Sequence, residues 1–474
     1  MALMSKRYDL AVLGGGPGGY VAALRGAQAG LAVCLIEKDE IGGTCLHRGC
    51  IPTKVFLASS ELYEKITHCE DFGITTSGLS FDMKKAVIRK NKIVDQLTSG
   101  IEKLLKKRKV TVLKGRGTLE SHNTISVVMD SSNSSDNAFN EKHELIQADN
   151  IIIATGSKPA VFPGFDVDGT VVMTSDHILA SEKLPQSIII VGGGVIGCEF
   201  ATFYSQLGVK VTLVEALKRL LLPCDKSLAK QVELGLKRSG VVIKTKTMIK
   251  SLSNQDNRAV AVLDNGEKID ADVALLSVGR RCVSSDIGVD KAGINVDEKG
   301  LIIVDSQMRT SVSNIFAIGD VTGGFWLAHV ASAQGEVAVK VVSGEEAEFD
   351  GSVVPSVVFC KPELAQVGFT EDECKEKDLN IVTGRFTFGA NGKSLAIGEG
   401  KGSIKLISDK ETGKIYGAHI LGPHASDLIP EIALAMRNNI TVSGIGKTIH
   451  SHPTLNEVVH EAAEAALGTP LHQI

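Results

Sequence analysis

Residues 8–39 read "YDLAVLGGGPGGYVAALRGAQAGLAVCLIEKD". An apolar run, 8–13, leads into Gly14-x-Gly16-x-x-Gly19; a helical stretch follows, then a second strand, "LAVCLIE", ending at Glu37. The glycines permit a tight turn, backbone approach to a pyrophosphate and close helix packing. The helix N-terminus then presents free N–H groups to the phosphates. Glu37 can accept hydrogen bonds from a ribose diol.

The same signal recurs at 187–216, "SIIIVGGGVIGCEFATFYSQLGVKVTLVEA", with Gly192-x-Gly194-x-x-Gly197 after a strand and Glu215 ending the next one. The spacing from first glycine to acid is 23 in both copies. One copy is a weak signal. Two copies in the same context set the fold class as α/β with two Rossmann-like dinucleotide-binding domains. Two dinucleotides on one chain read as a tightly held flavin and a diffusible nicotinamide. A carboxylate at Glu215 suits a 2′-OH and repels a 2′-phosphate, which points to NAD. Arg219, close behind, pulls the other way.

The 474 residues exceed one core, and 43% apolar with 22% charged residues describes an ordinary globular chain. The net charge of −4 argues against nucleic acid as the main ligand. No run of about 18 apolar residues suggests a membrane span. The N-terminus shows neither signal nor transit peptide, so a bacterial cytoplasm is expected, or an organellar matrix if a transit peptide was removed.

Between the fingerprints, Lys84 to Lys107 predicts a long amphipathic helix with Val87, Ile88, Val94, Leu97, Ile101, Leu104 and Leu105 as its packing residues. "VTVLKGRGTLES" reads as strand, turn, strand, and the polar segment 129–144 as a mobile loop. "NIIIATGSKPAVFPG" (150–164) and "DVALLSVGRR" (272–281) mark boundaries, and "NIFAIGDVTGG" places Asp320 at the C-terminal end of a strand, where ligands sit in open α/β sheets. Alternating runs after Gly344 suggest an antiparallel sheet followed by two helices.

Nine scattered cysteines do not make a secreted disulfide scaffold. Only Cys45 and Cys50, in "GGTCLHRGCIPTK" (42–54), are close together. The paired ligand spacing of a structural zinc site is missing. Near the C-terminus, "HSHPTLNEVVHEA" brings His450, His452, Glu457 and His460 within eleven positions. His452-Pro453 reads as a helix start, with Glu457 near enough to orient His452 as a base. A plain helix start with exposed histidines is the alternative.

The order of these motifs resembles the pyridine nucleotide–disulfide oxidoreductases over Tyr8 to Leu467. It runs fingerprint, "GGTC-x4-GCIP-x-K", "ATG", second fingerprint, "AIGD" and "HPT-x-x-E". Within that family "GGTCL…GCIPTK" and "HPTLNE" are most similar to the dihydrolipoamide dehydrogenases. His47, Arg48 and Thr53 depart from the usual cysteine loop and touch redox tuning. The glutathione-reductase type, an NADPH-dependent disulfide reductase, is the alternative; it usually carries basic residues where this chain has Glu215. Mercuric reductases usually add a terminal cysteine pair, absent from "GTPLHQI".

The resemblance implies a Cys45–Cys50 redox disulfide that reoxidises protein-bound dihydrolipoamide and, through FAD, reduces NAD+ to NADH. Cys45 would exchange with the lipoyl group, Cys50 would sit against the flavin, and His452 oriented by Glu457 would be the base. For FAD it implies Gly14, Gly16, Gly19, Glu37, Lys54, Gly117, Thr155, Gly156, Asp320 and Ala328. For NAD it implies Gly192, Gly194, Gly197, Glu199, Glu215 and Gly279, with Glu199 also a partner for Lys54. No metal is implied. The expected division is 1–150 and 281–349 for FAD, 151–280 for NAD, and 350–474 as an α+β dimerisation domain. The implied partners are a second copy of the chain, whose cysteines His452 would serve, and a lipoyl-bearing acyltransferase or glycine-cleavage carrier. Nucleic acid and membrane are not among them.

Overall fold

The computed structural model describes residues 6–129 and 143–472; most of the polar 129–144 segment lies outside the described residues. The chain divides into two compact units. The first comprises 1–55, 84–160 and 279–350, and the second 56–83, 161–278 and 351–474.

The first unit is built on a six-stranded sheet. Lys6–Leu13 pairs in parallel with Val33–Glu37 on one side and with His143–Ile153 on the other. Thr111–Ser121 extends the parallel sheet beyond Val33–Glu37, and Ile315–Ala317 extends it beyond His143–Ile153. The central strands are near-continuous apolar runs because helices cover a parallel sheet; Leu10 to Val12 and Ile151 to Ile153 are fully buried. Helix Pro17–Gln28 packs on helix Ala328–Val342 so closely that a Cβ at Gly18 would lie 3.0 Å from Ala331 O.

Thr111–Ser121 is one continuous strand, not strand–turn–strand. Gly115 and Gly117 serve close packing there instead of a turn. A Cβ on Gly115 would meet Val128 O at 2.4 Å, and one on Gly117 would meet Leu13 Cδ1 at 2.5 Å. Helix Met83–Lys107 forms as expected and buries Val87, Val94 and Leu105. Ile88, Leu97 and Leu104 do not pack: they are 56%, 41% and 50% exposed, lying off the buried stripe.

The second unit holds a five-stranded parallel sheet in the order Val242–Thr245, Lys210–Glu215, Ser187–Val191, Val273–Leu276, Val172–Thr174. A three-stranded antiparallel meander spans Ile249 to Ala271. A five-stranded antiparallel sheet, Ser356–Val358, Glu363–Gly368, Ile415–Gly422, Ser403–Asp409, Ile381–Thr387, carries helices Ala425–Arg437 and Glu457–Ala466 over one shared core. A short extra helix, Val442–Gly446, lies between those two.

The last helix begins at Glu457, so His452-Pro453 precedes it instead of opening it. A residue before proline is steered away from the helical region, which keeps His452 in the entering loop. Glu457 reaches back to accept Thr454 N at 2.8 Å, closing that loop onto the helix. Among the described residues no helix is long and apolar enough to cross a membrane.

Candidate active site

The two fingerprints fold alike almost bond for bond. Gly14 and Gly192 have φ of 110° and 106°, which L side chains rarely adopt. Gly14 N bonds Ile36 O and Gly192 N bonds Val214 O, both at 2.8 Å. Glu37 Oε2 accepts Gly15 N at 2.6 Å and Oε1 accepts Asp39 N at 2.7 Å. Glu215 repeats this with Gly193 N at 2.6 Å and Leu217 N at 2.7 Å. A Cβ on Gly19 would stand 1.8 Å from Gly14 O, and one on Gly197 1.9 Å from Gly192 O.

This geometry fits a dinucleotide in each unit. Gly16 and Gly194 are the N-caps of helices Pro17–Gln28 and Val195–Gln206, and neither helix receives a side-chain cap. A Cβ at either glycine would meet nothing within 4 Å. The first-turn N–H groups thus face open space beside a fixed carboxylate, the arrangement a pyrophosphate and ribose require.

Of the other positions expected at the flavin, Asp320 lies in the first unit just past strand Ile315–Ala317. Ser157 Oγ donates to Asp320 Oδ2, and Arg280 Nε donates to Ser157 Oγ at 2.7 Å. Gly319 N bonds Gln334 Oε1 at 2.7 Å, and Thr155 Oγ1 donates to Val283 O at 2.6 Å. Ala328 is the first residue of the helix that packs on Pro17–Gln28. Gly156, with φ 67°, leaves open space where a side chain would be. Gly117 is in mid-strand, opposite Val127. Gly279, expected at the nicotinamide, opens the third segment of this unit, and its carbonyl accepts Ala160 N at 3.0 Å.

Cys45 lies in the short helix Gly43–Arg48, and Cys50 starts helix Cys50–Thr67. The two side chains are hydrogen-bonded as thiols. That bond, with burial, pushes the Cys45 thiol well up, against a smaller opposing pull from the Lys54 ammonium. The departures from the usual loop have structural work. His47 Nε2 lies 2.9 Å from Ile41 O and 3.2 Å from Thr98 Oγ1; Arg48 pairs with Asp39 at 2.9 Å; Thr53 Oγ1 donates to Gly49 O at 2.8 Å.

In the second unit, His452 Nδ1 is 2.7 Å from Glu457 Oε1, and the imidazole is exposed. Burial would raise the Glu457 carboxyl, but the bonds from His452 and Thr454 N outweigh it and hold it below its ordinary value. Beside this dyad stands a second one. His450 Nε2 is 2.9 Å from Glu431 Oε1, Asn456 Nδ2 donates to Glu431 Oε2 at 3.0 Å, and His450 Nδ1 is 3.0 Å from Thr448 O. The His460 ring lies 5.5 Å from that of His450. Glu199 is buried, and its carboxylate accepts Phe359 N at 3.0 Å. Arg219 is committed to its own turn, donating to the carbonyls of Leu221, Leu222 and Cys224 at 2.6–3.0 Å.

Sequence reading missed Ser157, Arg280, Gln334, Thr98 and Glu431. Each acts across a long chain separation, where no local spacing marks it.

Residues 8–335 match the pyridine nucleotide-disulphide oxidoreductase family and 354–463 its dimerisation domain. The chain belongs to that family of flavoprotein oxidoreductases, whose cofactors are FAD and NAD. It is 42% identical to the dihydrolipoyl dehydrogenase of Chlamydia muridarum over 99% of both chains. It is also 42% identical to that of Bacillus subtilis, over 99% of this chain and all of the relative. The crystal structure of LpdA from Mycobacterium tuberculosis has a TM-score of 0.90 at 28% identity, covering 97% of this chain and 99% of the other. The flavoprotein disulfide reductase RclA of Escherichia coli gives 0.86 at 26% identity, over 96% and 99%.

Proposed function

We propose that this chain is an NAD-dependent dihydrolipoyl dehydrogenase that reoxidises a dihydrolipoyl group carried on another protein. The observation that carries the reading is the Cys45–Cys50 pair, bonded sulfur to sulfur-bound hydrogen at the start of helix Cys50–Thr67. In the oxidised state the pair is a disulfide. His452, held through Nδ1 by Glu457, takes a proton from the substrate thiol at Nε2. The resulting thiolate attacks Cys45, and Cys50 leaves as a thiolate at a helix N-terminus, where negative charge is favoured. The second substrate sulfur then attacks the mixed disulfide and releases Cys45. The substrate has closed its own disulfide, and two electrons rest on the cysteine pair. Bound FAD supplies the two-electron relay from that pair to NAD+.

Gly14, Gly16, Gly19, Glu37, Lys54, Gly117, Thr155, Gly156, Asp320 and Ala328 would hold FAD. Gly192, Gly194, Gly197, Glu199, Glu215 and Gly279 would hold NAD. Glu215 against a 2′-phosphate, and an Arg219 already bonded to three carbonyls, support NAD over NADP. Residues 1–150 and 281–349 are assigned to FAD, 151–280 to NAD and 350–474 to a homodimer in which the dyad of one subunit serves the cysteines of the other. The carrier would be a lipoyl-bearing acyltransferase of a 2-oxo acid dehydrogenase complex or a glycine-cleavage protein, in a bacterial cytoplasm.

The test is reduction of NAD+ and of NADP+ by dihydrolipoamide on purified flavoprotein. Rapid turnover with NAD+ alone is expected. NADPH-driven reduction of another disulfide, without lipoamide activity, would sink the reading.

A further inference from the structure

Helix Met83–Lys107 packs one face on the first unit and leaves the other exposed. Residues 84–109 hold ten Lys and Arg against two acids, Asp95 and Glu102, in a chain whose net charge is −4. The bases are not spread evenly around the helix. Lys85, Arg89, Lys92, Gln96, Ser99, Lys103 and Lys106 follow one another at alternating spacings of four and three, so they share one face. All seven are exposed and none is acidic. Val87, Val94 and Leu105 are buried on the opposite side. Lys92, Lys103, Lys106 and Lys107 make no ion pair among the described residues. Exposed helix faces ordinarily mix both signs of charge, which this stripe does not.

The same helix is tied to the cysteine loop. Thr98 Oγ1 meets His47 Nε2, between Cys45 and Cys50, at 3.2 Å, and Arg89 Nη1 reaches Val55 O at 3.5 Å. The helix that carries the stripe is therefore fixed to the cysteine loop through its inner face, with Arg89 of the stripe reaching the helix that Cys50 starts.

We propose that this stripe docks the carrier of the dithiol: a small protein domain with an acidic surface, which the stripe draws toward Cys45 and Cys50. The inference rests on the function proposed above and names the partner's surface chemistry. The stripe is about 30 Å long, the diameter of a small domain. With the helix removed the rest of the chain is strongly acidic, which repels a polyanion extending past the stripe, such as nucleic acid or a membrane sheet. Attraction of this kind acts mainly on the association rate and weakens with salt.

The experiment uses the intact holoenzyme and two substrates, free dihydrolipoamide and a dihydrolipoylated carrier domain of net negative charge. Lys92→Glu, Lys103→Glu and Lys106→Glu are combined in one variant, with the Lys→Gln set as a milder version in case charge reversal disturbs folding. At low salt, kcat/KM on the carrier should fall on the order of tenfold or more in the Glu variant and by less in the Gln variant. The difference from wild type should close as ionic strength rises, with free dihydrolipoamide unaffected. An unchanged rate on the carrier, or an equal loss on both substrates, overturns the proposal. So does loss of binding to phosphatidylserine vesicles with carrier kinetics intact, which would give the face to a membrane. If wild type turns over neither substrate, the functional reading itself falls and the docking proposal falls with it.

Discussion

The Glu215 carboxylate receives the Gly193 amide at 2.6 Å, in the copy of the fingerprint where Arg219 is turned away onto Leu221, Leu222 and Cys224. On the proposed NAD assignment, specificity for the ribose therefore rests on the acid. Glu215→Ala should raise KM for NAD+ about tenfold, as one or two good hydrogen bonds are lost. The ratio of NADP+ to NAD+ efficiency should rise at the same time. Saturation curves for both nucleotides check this; an unchanged ratio would show that the selectivity lies elsewhere.

Gly19 and Gly197 make matched contacts, and on the proposed assignment the first serves FAD and the second NAD. Any side chain there strikes the carbonyl of the loop's first glycine, so the helix must move off its phosphate position. Gly197→Ala should raise KM for NAD+ by an order of magnitude or more while the purified protein keeps its yellow flavin. Gly19→Ala should instead lower flavin content. Visible absorbance and nucleotide kinetics read the two effects, and crossed effects would reverse the assignment.

His452→Gln should slow the thiol step by on the order of 10²–10⁴. Oxidation of NADH by an artificial acceptor that bypasses the cysteine pair should stay normal. Glu431 touches His450 and Asn456 but not the dyad itself. Glu431→Ala should therefore cost less, about tenfold, through a loosened loop. Losses that appear equally in the bypass assay would mean general damage, not thiol chemistry.

Lys405 is buried between Asp225 and Glu371, with Nζ 2.8 Å from each carboxylate. Burial opposes ionisation of Asp225, yet Lys405 and Ser227 hold its carboxyl down to about 2. Lys405 likewise lowers Glu371. Carboxyls depressed in the folded state stabilise it fully above their unfolded values, and that stability drains as pH falls from about 4 toward 2. Lys405→Met should cost on the order of 3–5 kcal/mol at neutral pH, because it leaves the buried Asp225 carboxylate without its cation, while Glu371 keeps Arg385. It should also flatten the acid limb of a thermal-melt series. A mutant as stable as wild type with an unaltered limb would refute the assignment.

The dinucleotide halves were legible in sequence because each is a local pattern: strand, three glycines, helix and acid within about thirty residues. The cysteine pair and the His452–Glu457 dyad were legible for the same reason. Gly115 and Gly117 misled because glycine marks both turns and tight packing, and only the neighbours Val128 and Leu13 decide between them. His452-Pro453 misled because proline fits both a first helical turn and the loop before one. Ile88, Leu97 and Leu104 are as apolar as core residues, yet they lie off the buried stripe of their helix and stay exposed. The Ser157–Arg280–Asp320 and Asp225–Lys405 groups join residues more than a hundred positions apart, and one sequence carries no sign of such pairings.

Strand Ile315–Ala317 completes its sheet by lying against His143–Ile153, with about 160 residues of chain between them. On a ribosome adding roughly 5–20 residues per second, that interval lasts on the order of 10–30 s. Throughout it the nascent sheet has one bare edge, with the amides of Ile151 and Ile153 awaiting a neighbour, and bare edges invite association with other chains. Asp320 and the helix from Ala328 emerge later still. A stop codon anywhere between Ile153 and Ile315 leaves a polypeptide with its first fingerprint intact and its sheet permanently open, a substrate for proteolysis and not a half-active enzyme.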